Sequence, residues 1–110
     1  MKTTLIDLAA ALAKGPPPPG NLAIPIYSDA TLEVELYAPQ GSDTQQPHDQ
    51  DEVYIVARGQ GTFFDGAARR PVSPGTFLFV PAHQLHRFED FSADFALWVF
   101  FYGSRRARQD

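Results

Sequence analysis

The residues of this chain best suited to chemistry are three histidines, at positions 48, 83 and 86, and a glutamate, Glu52. His48 stands four residues before Glu52, a separation that a straight strand would stretch to about 13 Å. Metal–ligand bonds are about 2 Å long, so a turn must bring the two side chains together. The polar stretch 49–51 permits such a turn.

Two histidines and one carboxylate form the facial triad of non-haem iron(II) sites, and the same donors suit Mn, Ni, Cu or Zn. His86 would have to come from a neighbouring strand, which a rolled sheet supplies. The spacing by itself leaves an ordinary alternative open, in which each histidine is a surface or partly buried residue.

The elements that must position these residues are short strands. Residues 4–14 are predicted to form a helix, and everything from residue 21 onward has β character, with frequent Gly and Pro turns between short apolar segments. Asp65-Gly66 is a strong hairpin signal. The predicted strands are 22–28, 31–38, 52–57, 62–64, 76–80, 86–88 and 94–102. This pattern predicts an all-β sandwich or closed barrel, and periodicity does not choose between the two.

Alternation along the strands predicts which side chains face inward. If Glu52 points inward, so do Tyr54 and Val56. The last strand has two bulky faces: Phe95, Leu97, Val99 and Phe101 on one, and Ala96, Trp98, Phe100 and Tyr102 on the other. One face fills the barrel, so the other predicts a homodimer interface, unless the N-terminal helix covers it.

The N-terminal segment differs in character from the rest of the chain. Thr4 is the predicted cap of the helix, and Gly15 to Gly20 hold four prolines that form a stiff polyproline II spacer. We therefore divide the chain into residues 1–20, the helix and linker, and residues 21–110, the barrel. Asp7 interrupts an apolar run that would otherwise faintly resemble a signal peptide, so we expect a cytoplasmic protein.

Composition excludes several classes of function. The 110 residues carry a net charge of −4 and include no cysteine. An acidic chain is unsuited to nucleic acid, and the longest apolar run near the C-terminus, 95–102, is too short to cross a membrane. A cysteine nucleophile, a thiolate metal site, a Gly-X-Ser-X-Gly elbow and the phosphate-loop and dinucleotide fingerprints are all missing from the sequence.

Two stretches resemble the two motifs of the cupin family. In the first, Gln46 and His48 fall on the family's paired histidines, Glu52 falls on its glutamate, and six residues separate Glu52 from Gly59. In the second, Gly75 is followed after five residues by Pro81, and His86 falls on the family's third histidine. The resemblance covers about residues 30–102. It implies a double-stranded β-helix, or jelly-roll barrel, that holds one divalent transition metal (Fe, Mn, Ni, Cu or Zn) on Gln46, His48, Glu52 and His86.

The sequence departs from the family pattern at three positions. Gln46 replaces a metal-binding histidine, so it is either a weaker fourth ligand or a hydrogen-bond partner of the ligands. His83 replaces a glycine, and Asp90 replaces an asparagine, for which a turn role is expected.

The resemblance implies a small-molecule partner and leaves two functions open: a metal-dependent enzyme of dioxygenase or isomerase type, or a non-catalytic binding or sensor module with a weak or absent metal. No catalytic base is evident, although His83 near the pocket mouth is the best candidate. Tyr54, Phe63, His83 and Trp98 are the expected pocket-lining residues.

Overall fold

A computed structural model of the protein describes residues 2–105. These residues form one short helix and eight strands. The elements are α1 (Leu8–Leu12), β1 (Ile24–Ser28), β2 (Leu32–Tyr37), β3 (Asp51–Arg58), β4 (Gly61–Phe64), β5 (Arg69–Val72), β6 (Phe77–Val80), β7 (Arg87–Glu89) and β8 (Ala96–Tyr102).

The strands form two antiparallel sheets. The larger sheet has the order β1-β2-β8-β3-β6, and the smaller has the order β5-β4-β7. The main core contains residues from both sheets: Tyr37, Tyr54, Val56, Phe63, Val72, Val80, Phe88, Leu97 and Val99, with Phe95 from the turn before β8. The all-β jelly-roll prediction with a short N-terminal helix is confirmed.

The alternation predicted for β3 and β8 is also confirmed. Glu52, Tyr54 and Val56 are buried, as are Leu97 and Val99. β8 pairs with β2 on one side and β3 on the other, so its inward residues form the floor between these strands. Side chains from the three strands therefore converge inside the barrel.

Strand β5 was not predicted, although the Asp65-Gly66 hairpin signal requires a returning strand. Its first three residues, Arg69 to Pro71, are exposed and polar or lack an amide proton, so they show none of the apolar alternation that marked the other strands. A proline is tolerated there because β5 lies at the edge of the smaller sheet.

The N-terminal helix begins later than predicted, at Leu8 rather than residue 4. Asp7 is its N-cap instead of Thr4, because the Asp7 Oδ1 accepts a hydrogen bond of 2.8 Å from the Ala10 amide. The helix packs on the outside of the barrel, where Ala11 lies against Ile24 and Leu36. Within residues 2–105, no helix has the length and apolar character needed to cross a bilayer.

Candidate metal centre

Three separate segments bring His48, Glu52 and His86 together. Glu52 lies on β3 between Val80 of β6 and Phe101 of β8. His48 lies on the loop before β3, and His86 directly precedes β7 of the opposite sheet. One ligand atom from each of the three side chains lies within 4.8 Å of the other two. The turn that the His48–Glu52 spacing demanded is therefore present.

The loop that carries His48 is fastened to the loop that carries His86. The backbone N–H of His83 donates to the His48 carbonyl oxygen over 2.6 Å. The Ala82 N–H donates to Asp51 Oδ1 over 3.0 Å. His83 adopts a φ of 68°, at the position where the family motif has glycine. The hydrogen bond from its backbone N–H thus joins the segments that carry His48 and His86.

His86 is oriented by hydrogen bonds at both ring nitrogens. Its Nδ1 lies 2.8 Å from the Gln84 carbonyl oxygen, which only accepts, so Nδ1 carries a proton. Its Nε2 lies 2.8 Å from Glu52 Oε1 and 3.0 Å from Gln45 Oε1. Burial lowers the pKa of His86, but the hydrogen bond and charge of Glu52 outweigh it, and the net pKa lies above its ordinary value.

The contacts of Nε2 have the chemistry to accommodate a cation. With Nδ1 protonated, neutral His86 would direct its Nε2 lone pair at two oxygen acceptors. The Tyr54 hydroxyl oxygen also lies 3.2 Å from Nε2, but it donates its proton to Gln45. A proton or a metal ion between Nε2 and the acceptors would remove the repulsion. In addition, Glu52 Oε2 is buried and has no hydrogen-bond partner among residues 2–105. Both observations fit a divalent metal, and imidazole with carboxylate suits the first-row transition ions.

A polar network extends from the triad to Asp43. Tyr54 donates from its hydroxyl to Gln45 Oε1 over 2.8 Å, and Gln45 Nε2 donates to Asp43 Oδ2 over 2.6 Å. The same carboxylate accepts the Phe88 amide over 2.8 Å and, on its other oxygen, the Tyr37 hydroxyl. Because Asp43 receives the amide N–H₂ of Gln45, the Gln45 oxygen is turned towards His86. Such outer hydrogen bonds fix the orientation of metal ligands.

The glutamine that contacts His86 is Gln45, whereas Gln46 is exposed and lies at the rim of the adjacent cavity. Strand alternation would pair Gln46 with His48, but this segment is an irregular loop, so the alternation does not hold. In the sequence, Gln45 is marked only by its position directly before Gln46, the residue that matches the family motif. Asp43 had no sequence signal beyond its polarity.

The four expected pocket residues lie in different places. Tyr54 lines the cavity beside the triad. Phe63 is buried with its ring centroid 6.2 Å from that of His86. His83 is not among the described residues that line the cavity. Trp98 lies on the outer face of the larger sheet instead, because it alternates with the inward Leu97 and Val99.

A cavity of about 430 Å³ opens beside the triad. Its walls come from β2, β3, β8 and the loops before β1 and β3. The residues that line it include Leu22, Ala23, Glu33, Glu35, Tyr37, Gln45, Gln46, His48, Tyr54, Val99 and Phe101. This volume is that of a small-molecule pocket.

Glu35 on the cavity wall is expected to make stability depend on pH. Burial, and next the charge and hydrogen bond of Glu33, raise the pKa of Glu35 from 4.5 to about 7. The folded state thus holds this proton more tightly than the unfolded state does. The resulting stabilisation is fully present below about pH 4.5 and is lost as the pH rises through about 7.

We therefore expect Glu35→Gln to raise the free energy of unfolding of the metal-free protein above that of wild type at pH 8, by about 1–2 kcal/mol more than at pH 5. This figure allows for the partial solvent exposure of Glu35. Urea unfolding at the two pH values measures this. Glu89→Gln is the matched control of opposite sign, because Arg69 and Arg87 hold the pKa of Glu89 below its ordinary value. An unchanged pH dependence in Glu35→Gln would contradict the assignment.

The fold and the triad together define a small β-barrel protein of the cupin class, and comparison with known proteins agrees. The cupin domain family model (Cupin_2) matches residues 33–101. The chain belongs to the cupin family.

Among curated proteins, the chain is 36% identical over 75 residues to the uncharacterized protein SCO3923 of Streptomyces coelicolor, covering 66% of this chain and 71% of that one. Among solved structures, it resembles TT1209 from Thermus thermophilus with a TM-score of 0.69 and 24% identity, covering 94% of this chain and 98% of that one.

A second solved structure is the DMSP lyase DddQ from Ruegeria pomeroyi, with a TM-score of 0.58 and 22% identity over 68% of this chain. The chain spans only 40% of the length of DddQ. It also spans less than two thirds of two further structures that it resembles, at 65% and 61% of their lengths. At these identities, the structural likenesses show the fold only.

Proposed function

We propose that this cupin is a metalloenzyme that acts on a small organic molecule, in a reaction of dioxygenase or isomerase type. One divalent transition metal (Fe, Mn, Ni, Cu or Zn) is held by His48, Glu52 and His86. The observation that supports this most is that the three ligand atoms lie within 4.8 Å of one another, beside a cavity large enough for a substrate. The lyase activity in the name of DddQ indicates that this fold can host an enzyme.

The residues around the triad have distinct roles in this proposal. His86 uses Nε2 as the ligand atom, while its Nδ1–H donates to the Gln84 carbonyl and fixes the ring. Glu52 supplies a carboxylate whose Oε2 accepts no hydrogen bond from the described residues 2–105. Gln45 holds Tyr54 by a hydrogen bond and places an amide oxygen beside Nε2. When bound, the metal would supply Lewis acidity or, if it is redox-active, oxygen chemistry.

A second candidate function is a non-catalytic binding or sensor module. The observation that favours it is the glutamine in place of the family's first histidine, because an amide oxygen binds a borderline cation less tightly than imidazole does. In this case the cavity would still bind a small molecule, but the metal would be weak or absent.

Elemental analysis of untagged protein tests the metal centre. We expect about one equivalent of Fe, Mn, Ni, Cu or Zn per chain in wild type and a large loss in His86→Ala. The matched control is His83→Asn, which removes a histidine outside the triad and should retain the metal. Wild-type protein that binds none of the five ions after incubation with each would overturn the metalloenzyme proposal.

A substrate screen then separates the two functions. Metal-loaded wild type is tested for oxygen uptake and for product formation by mass spectrometry against a library of small organic molecules. Turnover that His86→Ala loses supports the enzyme. Binding detected by thermal shift with no turnover of any bound compound supports the binding module.

We also propose that the chain forms a homodimer through the outer face of the larger sheet. Neighbouring strands align apolar residues there: Ile55 lies between Phe77 and Trp98, and Val53 lies between Phe79 and Phe100. Phe77 is 63% exposed and Phe79 is 49% exposed. The N-terminal helix packs near Leu36 and Trp98 and leaves the β6 side uncovered. A second copy would cover this flat apolar surface.

Light scattering after size-exclusion chromatography tests the dimer. Wild type should have twice the chain mass of 12.2 kDa, and Phe79→Glu should have the mass of one chain. Leu5→Glu replaces a residue that is 89% exposed outside this face, and it should leave the dimer intact. A monomeric wild type at tens of micromolar would contradict the proposal.

A further inference from the structure

The cavity wall formed by β2 is acidic. Glu33 and Glu35 alternate with outward residues on this strand, and both line the cavity. Glu33 lies beside Phe101, and Glu35 beside Val99, in the pairing of β2 with β8. Both carboxyl groups therefore project over an apolar and aromatic floor. The charge of Glu33 is close enough to help raise the pKa of Glu35.

The described residues that line this cavity include no lysine or arginine. Arg105 lines a neighbouring surface groove together with Glu33 and Glu35. Its Nη1 lies 2.6 Å from Asp49 Oδ1, so this guanidinium is paired with another carboxylate. The pKa of Glu35 is raised by burial and by Glu33, as expected for a carboxyl group without a cation nearby. Among residues 2–105, no lysine or arginine that lines the cavity offsets the negative charge of this wall.

The same inner face carries a third carboxylate. Glu52 lies across Phe101 from Glu33, since Phe101 pairs with both residues. Glu52 is 1% exposed, and its Oε2 has no hydrogen-bond partner among residues 2–105. A metal on the triad would offset this charge, but Glu33 and Glu35 are not part of the triad. A second positive group in the cavity would balance them.

The volume and the aromatic lining of the cavity favour an organic cation over a second metal ion. About 430 Å³ far exceeds the volume of an ion. The rings of Tyr37, Tyr54 and Phe101 line the cavity together with Leu22 and Val99. Aromatic faces attract organic ammonium groups, and carboxylates accept their hydrogen bonds or balance their charge.

We propose that the cavity binds a small organic ammonium compound, with its cationic group at Glu33 and Glu35 and its other end towards His48. This inference rests on the proposed function, because it names the substrate class of the same site. The ammonium group itself would bind without a metal.

Isothermal titration at pH 8 with three probes of similar size tests the charge preference: n-butylammonium, n-butanol and butyrate. We expect n-butylammonium to bind at least 10-fold more tightly than either of the other two. Glu33→Gln and Glu35→Gln should each weaken n-butylammonium binding at least 10-fold. Since Glu35→Gln is expected to be more stable than wild type at this pH, misfolding would not explain its loss of binding. Glu89→Gln, which changes an acid outside the cavity, is the control and should bind as wild type does.

Equal affinity for the three probes, or n-butylammonium binding that both cavity variants retain, would overturn the inference. Displacement of n-butylammonium by millimolar Mg²⁺ or Ca²⁺, dependent on Glu33 and Glu35, would also overturn it in favour of an inorganic cation site. Each titration is run on metal-free and metal-loaded protein. If the protein binds a metal but does not prefer n-butylammonium, this inference is wrong and the metal proposal stands. If the protein binds n-butylammonium but takes up no metal, the metal proposal is wrong and this inference stands.

Discussion

Replacing His48 by asparagine is expected to lower the affinity for a divalent transition metal by at least about 100-fold, because it removes one of the three proposed ligands. This change is larger than the 10–100-fold effect typical of an outer hydrogen bond. The same change should alter the free energy of unfolding of the metal-free protein by less than about 1 kcal/mol. His48 is only half-buried, and the buried pair of Glu52 and His86 keeps its 2.8 Å contact without it. Metal titration and urea unfolding measure the two quantities on the same preparation.

The asparagine variant is more informative than His86→Ala on this point. His86→Ala leaves the Glu52 carboxylate buried without its charge partner, and breaking a buried pair in this way costs about 3–5 kcal/mol. A loss of metal in His86→Ala alone could therefore follow from damage to the fold. If His48→Asn bound metal as tightly as wild type, His48 would not be a ligand.

Replacing Gly59 by alanine is expected to destabilise the protein by about 3 kcal/mol or more. Gly59 has a φ of 77°, and a Cβ there would lie 2.6 Å from Ser92 Oγ and 2.7 Å from Phe95 Cα. The left-handed conformation costs alanine about 1–2 kcal/mol, and relief of a clash with backbone costs about 1–3 kcal/mol more. The midpoint of urea unfolding measures the loss.

Gly75 provides the matched control for this change. It has a φ of 90°, but a Cβ there would meet no atom within 4 Å. Gly75→Ala should therefore incur the conformational cost without the clash, about 1–2 kcal/mol. If the two variants lose the same stability, the close packing of the turn before β8 against Gly59 adds nothing to the cost of the Gly59→Ala substitution.

Both glycines belong to the motifs that predicted the family, and the structure explains the first of them physically. The segment 92–95 folds against the turn at Gly59, with the Ser92 amide donating to the Gln60 carbonyl over 2.8 Å. Phe95 is thereby held in the core, completely buried. The motif glycine thus secures the entry into β8, the strand that lies between β2 and β3.

The sequence was sufficient to predict the strands with strong apolar alternation and the three residues of the triad. Alternation is a local property, so β3 and β8 were assigned to the correct faces. The triad followed from two motifs whose internal spacing matched a known family. Strand β5 was missed, because an exposed edge strand with Arg69 and Arg70 has no apolar face to reveal it.

The network around the triad could not be predicted, because it depends on loop geometry. Gln45 and Gln46 are chemically identical neighbours, and only the path of the loop decides which amide reaches His86. The acidic wall was missed for a different reason. Glu33 and Glu35 look like an ordinary solvated face of a strand, and their inward direction follows only from the pairing of β2 with the inward residues of β8.

A crystal structure of protein loaded with Mn, Fe, Ni, Cu or Zn, with anomalous diffraction recorded at the absorption edge of the ion, tests directly whether His48, Glu52 and His86 bind a metal. We expect one anomalous peak per chain at about 2.0–2.3 Å from a nitrogen of His48, a carboxylate oxygen of Glu52 and Nε2 of His86. No peak with any of the five ions, or a peak that these three side chains do not coordinate, would contradict it.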